Sequence, residues 1–367
     1  MKGLDDMLAI RVKPAYDGGV SISEGGLAML YVGLDIHKKY VYAVAVDEAG
    51  NKLCEARLDN EQRALRQYVC SLPERAKCVL EATLNWAFVY DCLEGYADSI
   101  VLSHPKRTKA VASAKVKTDR IDSTVLAQLL RMDFLPTAYV PEKKVRDLRD
   151  LLRHRASLVR VRTAAKNRAH AILAGYGIRF PGSDLFGKAR RVFLSELRLR
   201  PFHQLALEDN LRLIDMLDER LKQVTQQINV LARGDQRVTW LTSMPGIGYY
   251  SALLILAEIG DITRFPTDKQ LCSYAGLVPS VHESGDHTRY GHITKEGSSW
   301  LRWIMLEAAQ QAARKPGQLS RFHARVARKH GRKAAHVALA RKMLEIVHHL
   351  LTHQECYQEQ TSVVSET

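Results

Sequence analysis

At 367 residues the chain has room for two or three domains, and its 46% hydrophobic content supplies a core and argues against global disorder. No apolar run approaches the ~18 residues that cross a bilayer, and no basic stretch with an apolar core marks a signal peptide. The six cysteines show neither a C-x-x-C pair nor zinc-type Cys/His spacing, so they read as buried thiols of a cytoplasmic protein. The net charge of +14 is unevenly spread: residues 1–122 balance acids and bases, while 143–233 and 286–345 carry the excess. Such blocks suit a phosphate backbone, or else form solvated helical faces.

In chain order, residues 1–28 contain Gly18-Gly19 and Gly25-Gly26 without a clear period and read as disordered. Glu24-Gly25 could be encoded by a purine-rich ribosome-binding sequence just before Met29, so Met29 is the expected start and 1–28 a translated leader. Mass spectrometry of the native N-terminus decides this; a peptide beginning at Met1 refutes it. Residues 31–36, 40–47 and 51–58 read as strands, 61–71 as a helix, 77–82 as a strand and 84–95 as a helix. Residues 99–103 give a fifth strand, Pro105 opens a short helix, and 119–133 is helical. The order βββαβαβα implies a mixed α/β sheet.

Residues 142–180 and about 204–233 carry apolar residues at helical spacing and predict a basic helical coiled-coil arm over 142–233. Residues 238–353 predict a mostly helical third unit, and 354–367 a disordered tail.

Against the basic background stand four acids. Asp35 ends the apolar run Tyr31-Val-Gly-Leu-Asp-Ile36, Glu81 ends Cys78-Val-Leu-Glu81, and Asp119 and Asp122 sit three apart in Lys117-Thr-Asp-Arg-Ile-Asp122. On a helix, i and i+3 share a face. Carboxylates gathered from strand ends and one helix face serve Mg²⁺-dependent phosphodiester chemistry. The alternative is surface carboxylates, with Asp119 merely capping its helix. His37, Lys38 and Lys39 could contact phosphates, but a lone histidine is more often structural, so His37 stays outside the catalytic set; Asn85 is weaker still. Actin-like ATPases also open with a strand ending in Asp, but follow it with Gly and Ser/Thr; the sequel here, Ile-His-Lys-Lys-Tyr, leaves no free amides for nucleotide phosphates.

In the third unit, Pro245-Gly-Ile-Gly248 resembles the turn of a helix-hairpin-helix, where backbone amides approach phosphates. Further on, Ser284 precedes Gly285 in what reads as a loop, crowded with His282, Arg289, His292 and Lys295. A serine there could attack a phosphodiester, with Arg289 or Lys295 stabilising charge; Ser280 is its rival, and a plain turn serine the alternative.

Together, Gly33-Leu-Asp-Ile-His-Lys38, Leu80-Glu-Ala-Thr83, Lys117-Thr-Asp-Arg-Ile-Asp122, Pro245-Gly-Ile-Gly248 and Gly276-Leu-Val-Pro279 with Ser284-Gly285 resemble the IS110-type insertion-sequence transposases, relatives of the Piv/MooV invertases. The resemblance runs in order from about residue 31 to 350. It implies an RNase H-like (RuvC-like) domain over 29–141 whose Asp35, Glu81, Asp119 and Asp122 bind Mg²⁺. It also implies a C-terminal domain whose Ser284 attacks double-stranded DNA through a transient phosphoserine link. Implied partners are further copies of the chain, as a dimer or tetramer in which one subunit's acids meet another's serine, and a structured guide RNA. The family usually has Ala where this chain has Ser123, a small residue that should be tolerated. The expectation is therefore a mobile-element recombinase. The alternatives are a junction-resolvase-like endonuclease using metal-activated water, and a non-catalytic nucleic-acid binder.

Overall fold

The computed structural model describes residues 13–14, 29–112, 118–178, 185–187, 192–194, 196–284 and 287–359. The chain divides into two compact units, Met1–Val140 and Pro141–Thr367.

The first unit is built on a seven-stranded sheet of order β1-β4-β3-β2-β5-β6-β7. The strands are β1 (Lys13–Pro14), β2 (Met29–Ile36), β3 (Tyr40–Val46), β4 (Lys52–Asp59), β5 (Arg75–Glu81), β6 (Ser99–Ser103) and β7 (Thr137–Ala138). β2, β3 and β4 form an antiparallel meander, whereas β5 runs parallel to β2 and β6 parallel to β5. The crossovers are α1 (Gln62–Ser71) and α2 (Trp86–Leu93); α3 (Pro105–Val111) and α4 (Asp119–Arg131) follow β6. This is the expected mixed α/β sheet, consistent with an RNase H-like domain. Lys13–Pro14, inside the segment expected to be disordered, pairs with β4 at the sheet edge, where proline's missing N–H is tolerated.

Side chains alternate between the faces of this sheet, and the alternation decides where the site lies. Leu30, Val32, Leu34 and Ile36 of β2, Val41, Ala43 and Ala45 of β3, and Cys78 and Leu80 of β5 enter one core with residues of α1 and α2. Tyr31 of β2 and Tyr42, Val44 and Val46 of β3 face the other way and meet Ala127 of α4. Asp35 and Glu81 belong to this second, α4-covered set.

Gly33 is what lets α4 lie so close. A Cβ there would collide with the Ser123 carbonyl oxygen and approach Ala127 N to 2.8 Å. Ser123 is fully buried, and its hydroxyl donates to the Tyr42 carbonyl at 2.9 Å. The serine that departs from the family pattern thus fastens the helix to β3.

In the second unit α5 (Lys143–Ala174) and α6 (Pro201–Arg233) form an antiparallel hairpin. Leu152 and Ile228 meet at its root, and Ala169 and Leu207 at its far end. The buried positions of α5 include Ala156, Ala165 and Ala169, small residues that allow close helix approach. The arm is not a free-standing domain, because its root shares one core with α7 (Gln236–Thr242), α8 (Tyr249–Ile259), α9 (Asp268–Tyr274), α10 (Ser299–Ala312) and α11 (Gln318–His353).

Three expectations change here. The segment expected to be irregular around Ser284 is a β-hairpin, β8 (Pro279–Ser284) with β9 (His287–Ile293), so the unit is helical with one two-stranded ribbon rather than all-α. Its alternation is hidden in sequence by His, Ser and Arg, which give no apolar face. After α11 the chain turns back instead of fraying at 354: Gln354 adopts a left-handed conformation and Tyr357 N donates to Ser243 Oγ at 2.7 Å. Finally, Cys78, Cys92 and Cys272 are buried, but Cys70 and Cys356 are exposed. Among the described residues no helix is long and apolar enough to cross a membrane.

Candidate active site

Asp35 is the penultimate residue of β2 and Glu81 the last of β5. The two strands pair in parallel register through Leu34 and Leu80, so the acids are level on adjacent strands. Asp119 and Asp122 occupy the first turn of α4. The alternative of Asp119 as a cap fails, since the cap is Thr118, whose Oγ1 accepts from Ile121 N at 3.3 Å. Asp119 is thereby not spent on capping, and both aspartates sit at the positive end of the helix dipole.

The structure brings Asp35 and Asp119 together through a residue excluded at first. His37 Nε2 lies 3.1 Å from Asp35 Oδ2 and 3.3 Å from Asp119 Oδ1. One donor atom from each of Asp35, His37 and Asp119 fits within a 4.8 Å mutual spacing. Glu81 and Asp122 lie outside that tight group, although the Asp122 charge is felt at Asp35.

Tyr40 completes the cluster. Its hydroxyl donates to Asp119 Oδ2 at 2.8 Å, and its ring stacks on His37 with centroids 4.5 Å apart and covers Arg57 at 3.9 Å. The β2–β3 turn that carries His37 is tied down by His37 N donating to Tyr40 O and by Asn60 Nδ2 donating to His37 O, both at 2.9 Å. In the sequence His37 reads only as a phosphate contact or, more often, a structural histidine, and Tyr40 only as a strand residue. The one available signal was their place at the two ends of a short turn beginning beside Asp35.

The two aspartates are electrostatically unlike. Burial pushes the Asp35 carboxyl above its ordinary value; His37 opposes this, and the charges of Asp119 and Asp122 reinforce it. Asp119 is held below its ordinary value, chiefly by the hydrogen bond from Tyr40, with His37 assisting. The same bond pushes the Tyr40 hydroxyl up. A half-buried anion crowded by two more carboxylates gains from a hard cation, so the donor set fits a divalent metal ion.

In the second unit Ser284 is the last residue of β8 and pairs with His287, while His282 pairs with Arg289. Gly285 lies outside the described residues, as does Lys117 beside the aspartates. The rival Ser280 sits at a register shift, its hydroxyl against Gly291. Lys295 follows β9 with φ of 54°, and Arg289 is exposed.

At the root of the hairpin Thr294 N donates to Val278 O at 2.9 Å and Lys295 N to Gly276 O at 3.3 Å. Beside it in the core of the second unit lies Glu258 of α8, which is 2% exposed. Arg153 of α5 reaches Glu258 Oε1 at 2.7 Å, and the Ser298 hydroxyl, which caps α10, donates to Oε2 at 2.9 Å. Arg302 donates to the Ala275 carbonyl at 2.9 Å. The Pro245–Gly248 turn joins α7 to α8 as expected, but its first glycine serves packing. At Gly246, φ 93°, a Cβ would strike the Ala308 carbonyl of α10. Around Gly248 the space is open, so packing does not explain this second glycine.

Comparisons with known proteins agree with this architecture. Residues 32–178 match a DEDD transposase profile of the IS110 group, and residues 238–324 match the profile described as "Transposase IS116/IS110/IS902 family". The chain carries the domain pair of the IS116/IS110/IS902 transposases. Enzymes of this family cleave and join DNA. A "Probable family 20 transposase" of Pseudomonas aeruginosa is 28% identical over 89% of this chain and 98% of its own length. The "Transposase for insertion sequence element IS1111A" of Coxiella burnetii is 28% identical over 89% of this chain and 90% of its own. The "Insertion element IS110 uncharacterized 43.6 kDa protein" of Streptomyces coelicolor is 37% identical, but over only 25% of this chain and 22% of its own. A DEDD domain implies divalent-metal use, in keeping with the acidic cluster.

Proposed function

We propose that this chain is the transposase of an insertion sequence and that it cuts and rejoins double-stranded DNA through a serine nucleophile. The observation that carries the reading is the convergence of Asp35, Glu81 and the first turn of α4 on one face of the sheet, with Asp35 and Asp119 gathered by His37. Asp35, Glu81, Asp119 and Asp122 would hold Mg²⁺, which supplies charge stabilisation at a phosphate oxygen.

Ser284 is the proposed nucleophile. Its hydroxyl oxygen would form a bond to phosphorus as the bond to one deoxyribose oxygen breaks, and the released strand end leaves as a hydroxyl. A strand hydroxyl would then displace the serine and restore a phosphodiester. Bond energy is conserved, so no nucleotide cofactor is required. Arg289 or Lys295 would stabilise the developing negative charge.

The basic surface of α11 supports DNA as substrate. Arg321, Arg325, Arg328, Lys329, Arg332 and Lys333 are all exposed along residues 318–333, a stretch without any acidic residue. Such a surface neutralises phosphates without reading sequence. The family resemblance adds a structured guide RNA and further copies of the chain as proposed partners.

Trapping with DNA decides among readings. A covalent protein–DNA adduct that disappears in Ser284→Ala is the expected result. Cleavage that persists in Ser284→Ala but vanishes in Asp35→Ala points instead to water as the nucleophile. Binding without any cutting in Mg²⁺ leaves only a binder.

A further inference from the structure

We propose that His37 is itself a metal ligand, giving the acid site a mixed oxygen and nitrogen donor set that holds Mn²⁺ more tightly than Mg²⁺. This rests on the carboxylate metal site proposed above and adds a ligand and a selectivity to it.

The spacing is the first argument. In an octahedral site with metal–ligand bonds near 2.1 Å, neighbouring donor atoms are about 3.0 Å apart. His37 Nε2 stands 3.1 Å and 3.3 Å from carboxylate oxygens of Asp35 and Asp119. It therefore already occupies a corner that adjoins both acids, as a ligand of one ion would.

Support for the ring is the second argument. A ligating imidazole needs a held ring plane, and Tyr40 supplies it by stacking at an interplanar angle of 23°. Tyr40 also holds Asp119 by its hydroxyl, so one residue orients two donors. The backbone of the turn is pinned by Asn60. A histidine whose only task was to sit on the surface would require none of this. Nε2 is placed to donate to the two carboxylates, and to ligate a cation there it would give up that proton or carry it on Nδ1 instead.

The third argument is donor chemistry. Mg²⁺ favours oxygen ligands and retains water, whereas first-row transition ions accept imidazole readily. Two carboxylates plus one imidazole, with Glu81 and Asp122 close by, suit Mn²⁺ on both counts.

The test is pulsed EPR of Mn²⁺ added to the full-length protein without DNA, with affinities from titration of the free-Mn²⁺ signal and competition by Mg²⁺. The expected result is ¹⁴N coupling from a directly bound imidazole, lost in His37→Ala. That variant should weaken Mn²⁺ about tenfold and leave Mg²⁺ within about threefold of wild type. Mn²⁺ bound in an Asp35-dependent way without nitrogen coupling overturns the ligand role of His37 and leaves the carboxylate site standing. Binding indifferent to Asp35→Asn, or no binding at all, overturns both. Nitrogen coupling that survives in His37→Ala assigns the bound imidazole to another of the 14 histidines and overturns the proposal, and His37→Gln repeats the test should the alanine variant fold poorly.

Discussion

The acid cluster and the β8–β9 hairpin both carry proposed catalytic groups, yet they are built in opposite ways. Asp35 and Glu81 stand on interior strands of a seven-stranded sheet and Asp119 and Asp122 on the helix α4 that roofs it, and each tight member has a partner: Asp35 with His37, Asp119 with His37 and Tyr40. Ser284 ends one strand of a two-stranded ribbon whose root is closed by backbone bonds from Thr294 N to Val278 O and from Lys295 N to Gly276 O. A metal site needs donors placed within tenths of an ångström, which only interior strands and a docked helix provide. A nucleophile that must enter and leave a phosphodiester is better carried on a ribbon anchored at one end.

That contrast can be broken. Asp35→Asn should lower single-turnover strand cleavage by about 10³-fold or more, while Ser284→Ala should leave metal binding unchanged. Equal loss of metal binding in both variants would mean that the two regions are not functionally separate.

Gly33→Ala tests the helix roof. The added methyl meets backbone on α4, which cannot give way like a side chain, so a destabilisation of about 3 kcal/mol is expected. Metal affinity should fall with it, because Asp119 and Asp122 ride on that helix. A normal denaturation midpoint would show that α4 does not need so close an approach.

Glu258→Ala should do the reverse. It strips the buried partner of Arg153 and Ser298 and should cost about 2 kcal/mol in the second unit, discounted because Arg153 is partly exposed. Metal binding at the acids should not change. Ser123→Ala is milder: one hydrogen bond to the Tyr42 carbonyl is lost from a buried position, worth about 1 kcal/mol by chemical denaturation.

The smallest effect belongs to the α11 surface. Replacing Arg328 or Lys329 by Ala should weaken DNA binding about equally for all sequences and reduce the salt slope by about 1 per residue. A sequence-dependent loss would assign base readout to this helix.

The four acids were legible one by one because each closes a short apolar run or opens a helix, both local signals. The succession of strands and helices along the chain was legible from β-rich runs such as Tyr40–Val46 and the turn after it, whereas the order of strands within the sheet was not. His37 was not, since its value depends on Asp119, far along the chain and brought close only when α4 docks over Gly33. The arm was read as separate because periodicity shows which helical face is apolar, not what covers it; Leu152 and Ile228 meet the C-terminal core only in the folded unit. The hairpin was missed because its strands lack an apolar alternation.

By itself, then, the sequence determined the mixed sheet, the long helices, the basic blocks and the acids' identities, all of which rest on composition and short-range period. Tertiary structure alone decided that Thr118 rather than Asp119 caps α4, that Ser123 fastens that helix, and that an imidazole stands between two carboxylates. The reason is one of range: propensity and period act over a few residues, whereas donor geometry is set by where distant segments pack.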